Sequence, residues 1–301
     1  MSAPASPDLN ELRAFCSAAE LGTVGRAAIR LQVSQPALSK RIAALERKVG
    51  AQLLERSPQG VTLTPAGRRL YPHARTLVNT ADRVAEVMMG FRLASDVVRF
   101  AASHSASEAF AAAMLAETPA DDLTVELVTA NSQVVRGMVG DGRADVGVAA
   151  SRPDRSPHPG VREEVLADDA IVCAVPPDHA WVKRGRVSAD RFLSTPMVVR
   201  DPSSNARWTV DAVLAAADLG AAEPLVEAAT PRAAIAEARA RCAPVLLSRH
   251  VVARTDFTPV DVEALAFPRT YVLLVPAHGE PVGDVRALME RIRAYVRVWL
   301  R

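Results

Sequence analysis

The sequence predicts an α/β protein preceded by a basic, all-α module, and charge and periodicity both support this division. Residues 1–93 carry thirteen Lys or Arg against seven Asp or Glu, a net charge of +6, whereas the remaining residues carry twenty-three against twenty-seven, a net charge of −4. Apolar residues recur at helical spacing in the first part, and from about residue 97 short β-branched runs alternate with helical stretches. A basic module on a mildly acidic body indicates a polyanionic partner for the module alone.

The overall composition excludes several protein classes. The 301 residues are 49% hydrophobic, which is typical of a fully folded protein with two or three cores. Because no apolar run approaches a membrane span and the N-terminal segment lacks a secretion-signal layout, we expect a cytoplasmic protein without a membrane partner. Cys16, Cys173 and Cys242 fit neither a disulfide framework nor metal-ligand spacing, so we expect buried, reduced thiols and no metal.

Two helices open the chain. Asp8 and Glu11 form a capping-box pattern ahead of an apolar helical stripe, which predicts a first helix over 8–21. Gly22 ends this helix, and Thr23 is placed to cap a second, short helix whose small apolar residues allow close packing.

A third helix has two contrasting faces. Ser34 caps it, and Pro36 is tolerated in its first turn because no intrahelical donor is lost there. The predicted core face consists of Leu38, Ile42, Leu45 and Val49. The opposite side begins at the helix N-terminus and carries Pro36, Lys40, Ala43 and Arg47, and Gln35 and Ser39 lie nearer the flank of the first turn. A short polar and cationic face of this kind suits the DNA major groove, where amides and hydroxyls reach base edges and Lys or Arg neutralises phosphate.

A small two-stranded wing is predicted next. Residues 52–56 and 61–64 bracket the turn-forming segment 57–60, and Arg56 is placed to meet a phosphate or a minor-groove edge. The alternative is that these charges form only a solvated helix face, which is the usual explanation for an isolated Lys. The combination of caps, apolar stripe, polar face and wing favours DNA binding.

These residues resemble the N-terminal domain of LysR-type transcriptional regulators. The match extends over roughly 60 residues without a gap and includes the run Ser-Gln-Pro-Ala-Leu-Ser at 34–39 and Leu-Thr-Pro-Ala-Gly at 63–67. It departs from the family at Leu54, where Phe is usual, and at Thr23, where Ser is commoner. The resemblance implies a winged helix-turn-helix domain at 1–64. The DNA-facing residues would be Thr23, Ser34, Gln35, Pro36, Ser39, Lys40, Arg41 and Arg56.

A long linker helix follows at 65–93, since Thr64 and Pro65 form a strong helix start. Its apolar residues are alternately four and three apart, and they are Leu70, Ala74, Leu77, Ala81, Val84, Met88 and Phe91. A heptad seam this narrow favours packing against a partner helix. The alternative is that the seam packs onto other parts of the same chain. The resemblance implies a homodimer or homotetramer, in which two reading heads match an inverted-repeat operator in double-stranded DNA.

The region from residue 97 predicts parallel-rich sheets covered by helices on both sides. The predicted strands are Val97–Ala101, Leu123–Val128, Val146–Ala149, Ala170–Val175, Met197–Val199, Leu225–Ala228, Val245–Leu247 and Tyr271–Val275. The predicted helices span 106–117, 132–140, 205–218, 231–241 and 282–299.

Polar residues follow several strand ends, where ligands bind in such sheets. They are Ser103, His104, Ser105, Ser107, Asn131, Arg200, Asp201 and Thr230. Any one of them is most simply an ordinary helix cap, whereas their convergence on one cleft would form a ligand pocket. We expect a small carboxylate or a similar anion, held by Ser105, Ser107 and Arg200.

Residues 94–301 are similar in layout to the family's effector-binding domain, two α/β subdomains like those of periplasmic binding proteins. Chain order implies subdomain I at 94–166 and 270–301, and subdomain II at 167–269. Cys-Ala-Pro at 242–244 replaces a glycine-rich step that is usual in the family. A peroxide-sensing branch of the family uses a cysteine pair after the strand at 197–199. Residues 200–208 contain no cysteine, so we reject that mechanism, although Cys173 and Cys242 could still react.

The leading hypothesis is therefore a ligand-responsive transcription regulator without a catalytic step or a cofactor. Ligand binding would reorient the subdomains and change the spacing of the reading heads, promoter bending and access of RNA polymerase. An enzyme or a solute-binding protein with a DNA-binding appendage is the second hypothesis. No phosphate-binding loop, dinucleotide fingerprint, nucleophile elbow or paired metal ligands support the enzyme, and a missing signal peptide argues against the solute-binding protein. The third hypothesis is a nucleoid protein, but it does not explain the large C-terminal region.

Overall fold

The computed structural model describes residues 6–57, 60–90, 97–117, 123–151, 158, 160–277 and 280–299. The chain divides into an N-terminal unit, Met1–Ser95 with Gly140–Arg143, and a C-terminal unit, Asp96–Val139 with Ala144–Arg301. Among the described residues, no helix combines the length and the apolar character that a membrane span requires.

The N-terminal unit contains three packed helices, a hairpin and a long helix. In chain order these are α1 (Leu9–Leu21), α2 (Val24–Arg30), α3 (Gln35–Val49), β1 (Leu54–Ser57), β2 (Gly60–Leu63) and α4 (Pro65–Gly90). The predicted capping box forms at the start of α1, where the Asp8 side chain accepts a hydrogen bond from the Asn10 amide and Glu11 accepts one from the Asp8 amide. The sequence therefore located these helices to within about a residue, as expected where caps mark the ends.

One core joins the three helices to the hairpin. Leu38, Ile42 and Leu45 are buried in it as predicted, but Val49 is 45% exposed because the helix ends there and Gly50 turns the chain away. The hairpin docks closely against the turn after α1: the amide of Val61 donates to the Gly22 carbonyl at 2.7 Å. A Cβ atom on Gly60 would lie 2.6 Å from that oxygen, so the contact requires glycine.

The heptad seam of α4 is only partly available to a partner helix. Ala74 is 1% exposed and Leu70 packs beside it, because the first turns of α4 complete the core of the N-terminal unit. The prediction that all seam positions face a partner is therefore wrong for this end of the helix. Leu77, Val84 and Met88 are exposed, and we call these three residues the α4 stripe. Phe91 lies outside the described residues.

The C-terminal unit is built on mixed strands with helices packed against them. Its strands are β3 (Val97–Ser103), β4 (Thr124–Ala130), β5 (Val146–Ala150), β6 (Val161–Val175), β7 (Arg186–Val187), β8 (Val198–Arg200), β9 (Val226–Ala228), β10 (Val245–Ser248), β11 (Thr258–Val262) and β12 (Phe267–Pro276). Its helices are α5 (His104–Ala106), a π-helical segment (Ser107–Ala111), α6 (Ala112–Ala116), α7 (Ser132–Gly140), α8 (Ala189–Leu193), α9 (Asn205–Ala216), α10 (Pro231–Ala240), α11 (Arg249–Val252) and α12 (Gly283–Trp299).

Two long strands join the halves of the main sheet, whose order is β4-β3-β5-β12-β6-β10-β8-β9. The outer strands of each half are parallel, as predicted, whereas β6 and β12 run antiparallel to one another from Phe267 opposite Ile171 to Pro276 opposite Val161. The sequence predicted β6 only from residue 170, because its first part carries charged residues on an exposed face. We call the strands on the β5 side the first half and those on the β10 side the second half.

The cysteines differ in their surroundings. Cys16 and Cys173 are buried, and burial raises the pKa of each thiol to about 12, so both are protonated and unreactive at neutral pH. Cys242 is exposed, which contradicts the prediction that all three thiols are buried. It follows α10 in the left-handed backbone region, with φ +46°, at a position where glycine is the usual residue.

Candidate nucleic-acid interface and ligand site

The first turn of α3 presents a polar surface to solvent. The Ser34 hydroxyl accepts a hydrogen bond from the Ala37 amide at 3.3 Å and so caps the helix. Gln35, Pro36 and Lys40 are exposed, and Ser39 is half-buried. Predicted residues from one turn of one helix therefore share a surface, with unsatisfied backbone donors at its N-terminal end.

The α2 end of this surface is formed by Thr23 and Gly25. The Thr23 hydroxyl accepts a hydrogen bond from the Arg26 amide at 3.2 Å and caps α2. A Cβ atom on Gly25 would lie 3.8 Å from the Gln35 side-chain oxygen, so α2 and the start of α3 are adjacent. Thr23 and Ser34 thus have a structural role as caps, and each keeps its hydroxyl hydrogen for a phosphate oxygen.

Cations in the N-terminal unit fall into two groups. Ion pairs hold Arg30 and Arg75 to Glu20, at 2.7 and 2.8 Å, and hold Lys48 to Glu11 at 2.8 Å. Arg13 is likewise paired, with Asp82. Within the described part of the chain, three predicted DNA-facing cations make no ion pair, and these are Lys40, Arg41 and Arg56. Positive charge is therefore left unneutralised on the α3 face and on the hairpin.

Arg56 of the hairpin is exposed to solvent. Arg56 lies on β1 opposite Val61 of β2, whose side chain is buried and holds the hairpin against the helices. The predicted wing is confirmed by the paired strands, and Pro58 and Gln59 of its turn lie outside the described residues. An exposed arginine on a rigid strand can reach a phosphate without ordering a flexible loop.

In the C-terminal unit, the end of β3 leads into a polar loop. Ser103 is buried and caps α5, its hydroxyl accepting a hydrogen bond from the Ala106 amide at 3.3 Å. The Ser105 hydroxyl accepts one from Arg269, at 3.1 Å, and Thr129 donates to Ser107 at 3.5 Å. Ser107 begins the π-helical segment, a helix irregularity that is frequent at functional sites.

Arg200, at the end of β8, is 3% exposed and extensively hydrogen-bonded. Its Nε donates to the Ala228 carbonyl at 3.1 Å, and its Nη2 donates to the Ala229 carbonyl at 2.7 Å and to Asp201 at 3.3 Å. Burial, and then the positive charge of Arg200, lower the pKa of His104, although Asp201 opposes this shift. His104 is therefore mainly neutral at pH 7.

Several hydrogen bonds among the described residues link the two halves of the sheet beyond their strand ends. Asn131 donates to the Ser203 hydroxyl at 2.6 Å and accepts from Arg200 Nη2 at 3.4 Å. The backbone amide of Arg232 donates to Glu108 at 3.2 Å, and burial raises the pKa of this carboxyl. Asn131 and Arg200 therefore meet, as the convergence hypothesis requires.

Thr230 caps α10 through a 3.1 Å hydrogen bond from the Ala233 amide, next to this cluster in the chain. Ser203 belongs to the polar run at 200–204 that follows β8 in the sequence, but it was not among the predicted ligand residues. Glu108 and Arg232 were not identified from the sequence, and Arg232 contributes through its backbone amide, which leaves no sequence signal.

A buried polar network lies beneath these contacts, and the sequence analysis missed it. Arg269 on β12 forms an ion pair with Asp169 on β6, with 2.6 Å between Nε and Oδ2. Arg269 also donates to Asn205 at 3.1 Å, and Asp169 accepts from Ser248 at 2.9 Å. The Tyr271 hydroxyl lies 3.0 Å from Ser248 and 3.4 Å from Arg269 Nη2. One signal was available: Arg269 precedes Tyr271 by two residues, which puts a charge on the same strand face as a predicted core residue.

The chain matches two family models. Residues 9–68 match the bacterial regulatory helix-turn-helix protein model of the LysR family, and residues 92–297 match the LysR substrate binding domain. An uncharacterized HTH-type transcriptional regulator of Mycobacterium tuberculosis is 31% identical over 303 residues, covering 95% of this chain and 96% of the relative.

Two solved structures have the same fold. ArgP from Mycobacterium tuberculosis aligns with a TM-score of 0.65 at 20% identity, covering 96% of this chain and 95% of that one. Full-length CbnR, solved as a complex with its target DNA, aligns with a TM-score of 0.50 at 22% identity, covering 96% and 99%. The family models together account for most of the chain, and the relative extends over nearly all of it. The chain belongs to the LysR family: it is a DNA-binding transcriptional regulator with an effector-binding domain, and not an enzyme.

Proposed function

We propose that this regulator binds inverted-repeat DNA as a dimer through α3 and the β1–β2 hairpin, and that a small molecule bound between the two halves of the C-terminal unit controls it. The DNA-binding part of the proposal rests on the cations of α3 and the hairpin that make no ion pair. Carboxylates neutralise four cations of the N-terminal unit, Arg13, Arg30, Lys48 and Arg75, whereas Lys40, Arg41 and Arg56 are among those that make no ion pair with the described residues. Such charges release counterions on meeting phosphate, which supplies affinity for duplex DNA.

Base reading and phosphate contact are assigned to different residues. Gln35 and Ser39, with Pro36 between them in the first turn, face base edges in the major groove. Lys40, Arg41 and Arg56 contact phosphate, and Thr23 and Ser34 donate from the two helix caps. The same geometry supports a cytoplasmic location, where a DNA-binding regulator meets the chromosome.

The test compares a promoter fragment from beside the regulator's own gene with random duplex of equal length, by fluorescence anisotropy over a salt series. Ser39→Ala is expected to reduce the ratio of specific to random affinity by about tenfold, since one base contact contributes about 1–3 kcal/mol. Arg56→Ala is expected to weaken binding to both fragments and to lower the salt slope by about one. Arg286→Ala is the matched control, because Arg286 is an exposed arginine of α12 in the C-terminal unit.

Two results would contradict these roles. If Ser39→Ala weakens both fragments equally, Ser39 does not read bases. If Arg56→Ala leaves the salt slope at the wild-type value, Arg56 does not contact phosphate. Indistinguishable binding of the two fragments by the unaltered protein would instead favour a nucleoid-like role.

The ligand part of the proposal rests on the hydrogen bonds that span the strand ends. Asn131 in the first half and Arg200 and Ser203 in the second form a polar surface around the loop that begins at Ser103. With subdomains divided at 166/167 and 269/270, β6 and β12 form the hinge of this cleft. Arg200 Nη1 makes no hydrogen bond to the residues that the structure describes, and this donor is the proposed anchor for an anionic effector.

A thermal-shift screen of small carboxylates tests this part, because a ligand that binds only the folded state raises the melting temperature. Arg200→Ala should abolish the shift, and Arg286→Ala should preserve it. An equal shift in the Arg200→Ala protein would place the ligand elsewhere.

Dimerisation and contact with transcription machinery complete the proposal. The α4 stripe is an exposed apolar surface on a helix, and a second copy is its proposed partner, in a dimer or tetramer. CbnR, similar in fold, is known in complex with its target DNA. Effector binding would change the spacing of the two DNA-reading helices and thereby promoter bending and contact with RNA polymerase.

A further inference from the structure

A second pocket lies in the C-terminal unit, away from the strand-end cleft. It has a volume of about 650 Å³, within the range of small-molecule sites. Its residues come from the end of α6, the loop after α11 and the last turns of α12, and they include Met114, Glu117, Arg254, Arg291, Tyr295 and Trp299. None of the residues of the cleft or of the DNA-facing surface contributes to it.

The wall of this pocket is aromatic. Tyr295 and Trp299 are one helical turn apart on α12, with ring centroids 6.3 Å apart and planes inclined by only 25°. The Tyr295 hydroxyl donates to Glu117 at 3.3 Å, which fixes its ring. The buried side chain of Met114 lies on the α6 side. A planar apolar group would pack against this wall with little loss of side-chain entropy, since the rings are already ordered.

Arg254 can supply the counter-charge for an anionic ligand. It makes no ion pair with the residues that the structure describes, and it lines the pocket together with Glu117, which accepts a hydrogen bond from Tyr295. The guanidinium carbon of Arg254 lies 4.1 Å from the centre of the Trp299 ring, so the cation is held over the aromatic wall. An arginine held in this way offers its planar donors to a carboxylate in a bidentate geometry.

We propose that this pocket binds a planar aromatic carboxylate and is a second ligand site, distinct from the strand-end cleft. Its ring packs beside Tyr295, and its carboxylate accepts hydrogen bonds from Arg254, which lies over the Trp299 ring. This assignment does not depend on the DNA-binding or effector proposals above, because it uses neither set of residues.

Ring contacts connect the pocket to the buried network. Trp299 lies 6.0 Å from the His250 ring and 6.4 Å from the Phe110 ring, measured between centroids. Phe110 in turn meets Tyr271 edge-on at 5.5 Å, and the Tyr271 hydroxyl faces Arg269. A ligand against Trp299 therefore adjoins the packing that holds β12, the strand that joins the two halves.

Isothermal titration of the full chain with 2-naphthoate tests the proposal. Saturable binding is expected, and 2-naphthylmethanol, which lacks the charge, should bind at least about tenfold more weakly, as should the Arg254→Ala protein with naphthoate. Glu117→Gln keeps an acceptor for Tyr295 and removes the opposing charge, so it should tighten binding about threefold. Arg286→Ala, on the same helix but not lining the pocket, should bind as the unaltered chain does.

Several outcomes would overturn the assignment. One is the absence of saturable binding. Another is naphthoate binding that survives Arg254→Ala but is lost in Arg200→Ala, which would place the ligand in the cleft. A third is a change in sedimentation of the Arg254→Ala protein without any ligand binding to the unaltered chain, which would make this face a subunit interface. Retained binding in Arg200→Ala supports the second site even if the cleft proposal fails.

Discussion

The buried ion pair between β6 and β12 permits a quantitative test of what holds the two halves of the effector-binding domain together. The Arg269 and Asp169 side chains are 1% and 0% exposed, with 2.6 Å between Nε and Oδ2. The two residues are also directly opposite in the β6–β12 register. Asp169→Asn keeps the shape and an acceptor for Ser248, but it leaves the Arg269 charge buried without a counter-charge.

The expected cost follows from this burial. Removing one partner of a fully buried pair costs about 3–5 kcal/mol, because the remaining charge is uncompensated. Arg269→Met should cost at least as much, since Asp169 is then stranded and Asn205, Ser105 and Tyr271 lose a donor. The double variant contains neither charge, so its loss should fall short of the sum of the single losses by about 3 kcal/mol.

Urea unfolding followed by tryptophan fluorescence measures the unfolding of the C-terminal unit. The three tryptophans, Trp181, Trp208 and Trp299, all lie in the C-terminal unit, so their emission does not report the N-terminal unit. With an m value of about 2–3 kcal/mol/M, each single variant should lower the midpoint by about 1–2 M.

A matched surface pair serves as the control for this cycle. Arg286 and Glu290 are 71% and 62% exposed, and Arg286→Met should cost less than about 0.5 kcal/mol. Additive losses at Asp169 and Arg269 would refute the claim that an uncompensated buried charge dominates. Losses as small as those of the surface control would refute the claim that the pair supports the fold.

Three further predictions concern other parts of the molecule. Leu77→Asp should dissociate the dimer in sedimentation experiments while leaving the monomer folded, because Leu77 is 53% exposed, and the exposed off-seam change Thr80→Asp should not; an intact Leu77→Asp dimer would exclude the α4 stripe as the interface. Cys242→Gly should raise unfolding free energy by about 1 kcal/mol, since φ there is +46°, whereas Ala236→Gly within α10 should lower it by a similar amount; a loss at Cys242→Gly would contradict the strain argument. The pKa of His104 is lowered below 6.5 on folding, so the unfolded chain binds more protons below that pH and acid destabilises the folded state. His104→Gln should therefore lose less stability between about pH 7 and about pH 5 than the unaltered protein, and equal losses would show that His104 does not titrate differently on folding.

The elements that the sequence predicted well are those whose information is local. Asp8 and Glu11 mark a helix start within four residues of chain, and Thr64 with Pro65 does the same for α4, where the Thr64 hydroxyl accepts from the Gly67 amide at 3.0 Å. The α3 surface is equally local, because one helical turn brings Gln35 and Ser39 together without reference to the rest of the fold.

The errors arose where distant residues decide the outcome. The apolar residues of α4 do follow heptad spacing. Ala74 is nevertheless buried, because it packs in one core with residues of α1 and the hairpin. The spacing within α4 cannot predict this contact. The first part of β6 is polar on an exposed face, so its place in the sheet depends on pairing with β12, about a hundred residues later.

The ligand site combines both kinds of information. Strand-end residues were identified from the rule that ligands bind beyond the carboxyl ends of parallel strands, and Asn131 and Arg200 do meet. Arg269 was missed because its partners, Asp169, Asn205 and Ser105, lie 64 to 164 residues away along the chain. A buried arginine is stable only with such partners, so its presence within an apolar strand already implies that they exist. Because the strand was predicted only from Tyr271, this requirement was not recognised from the sequence, and the fold identifies Asp169 as the counter-charge.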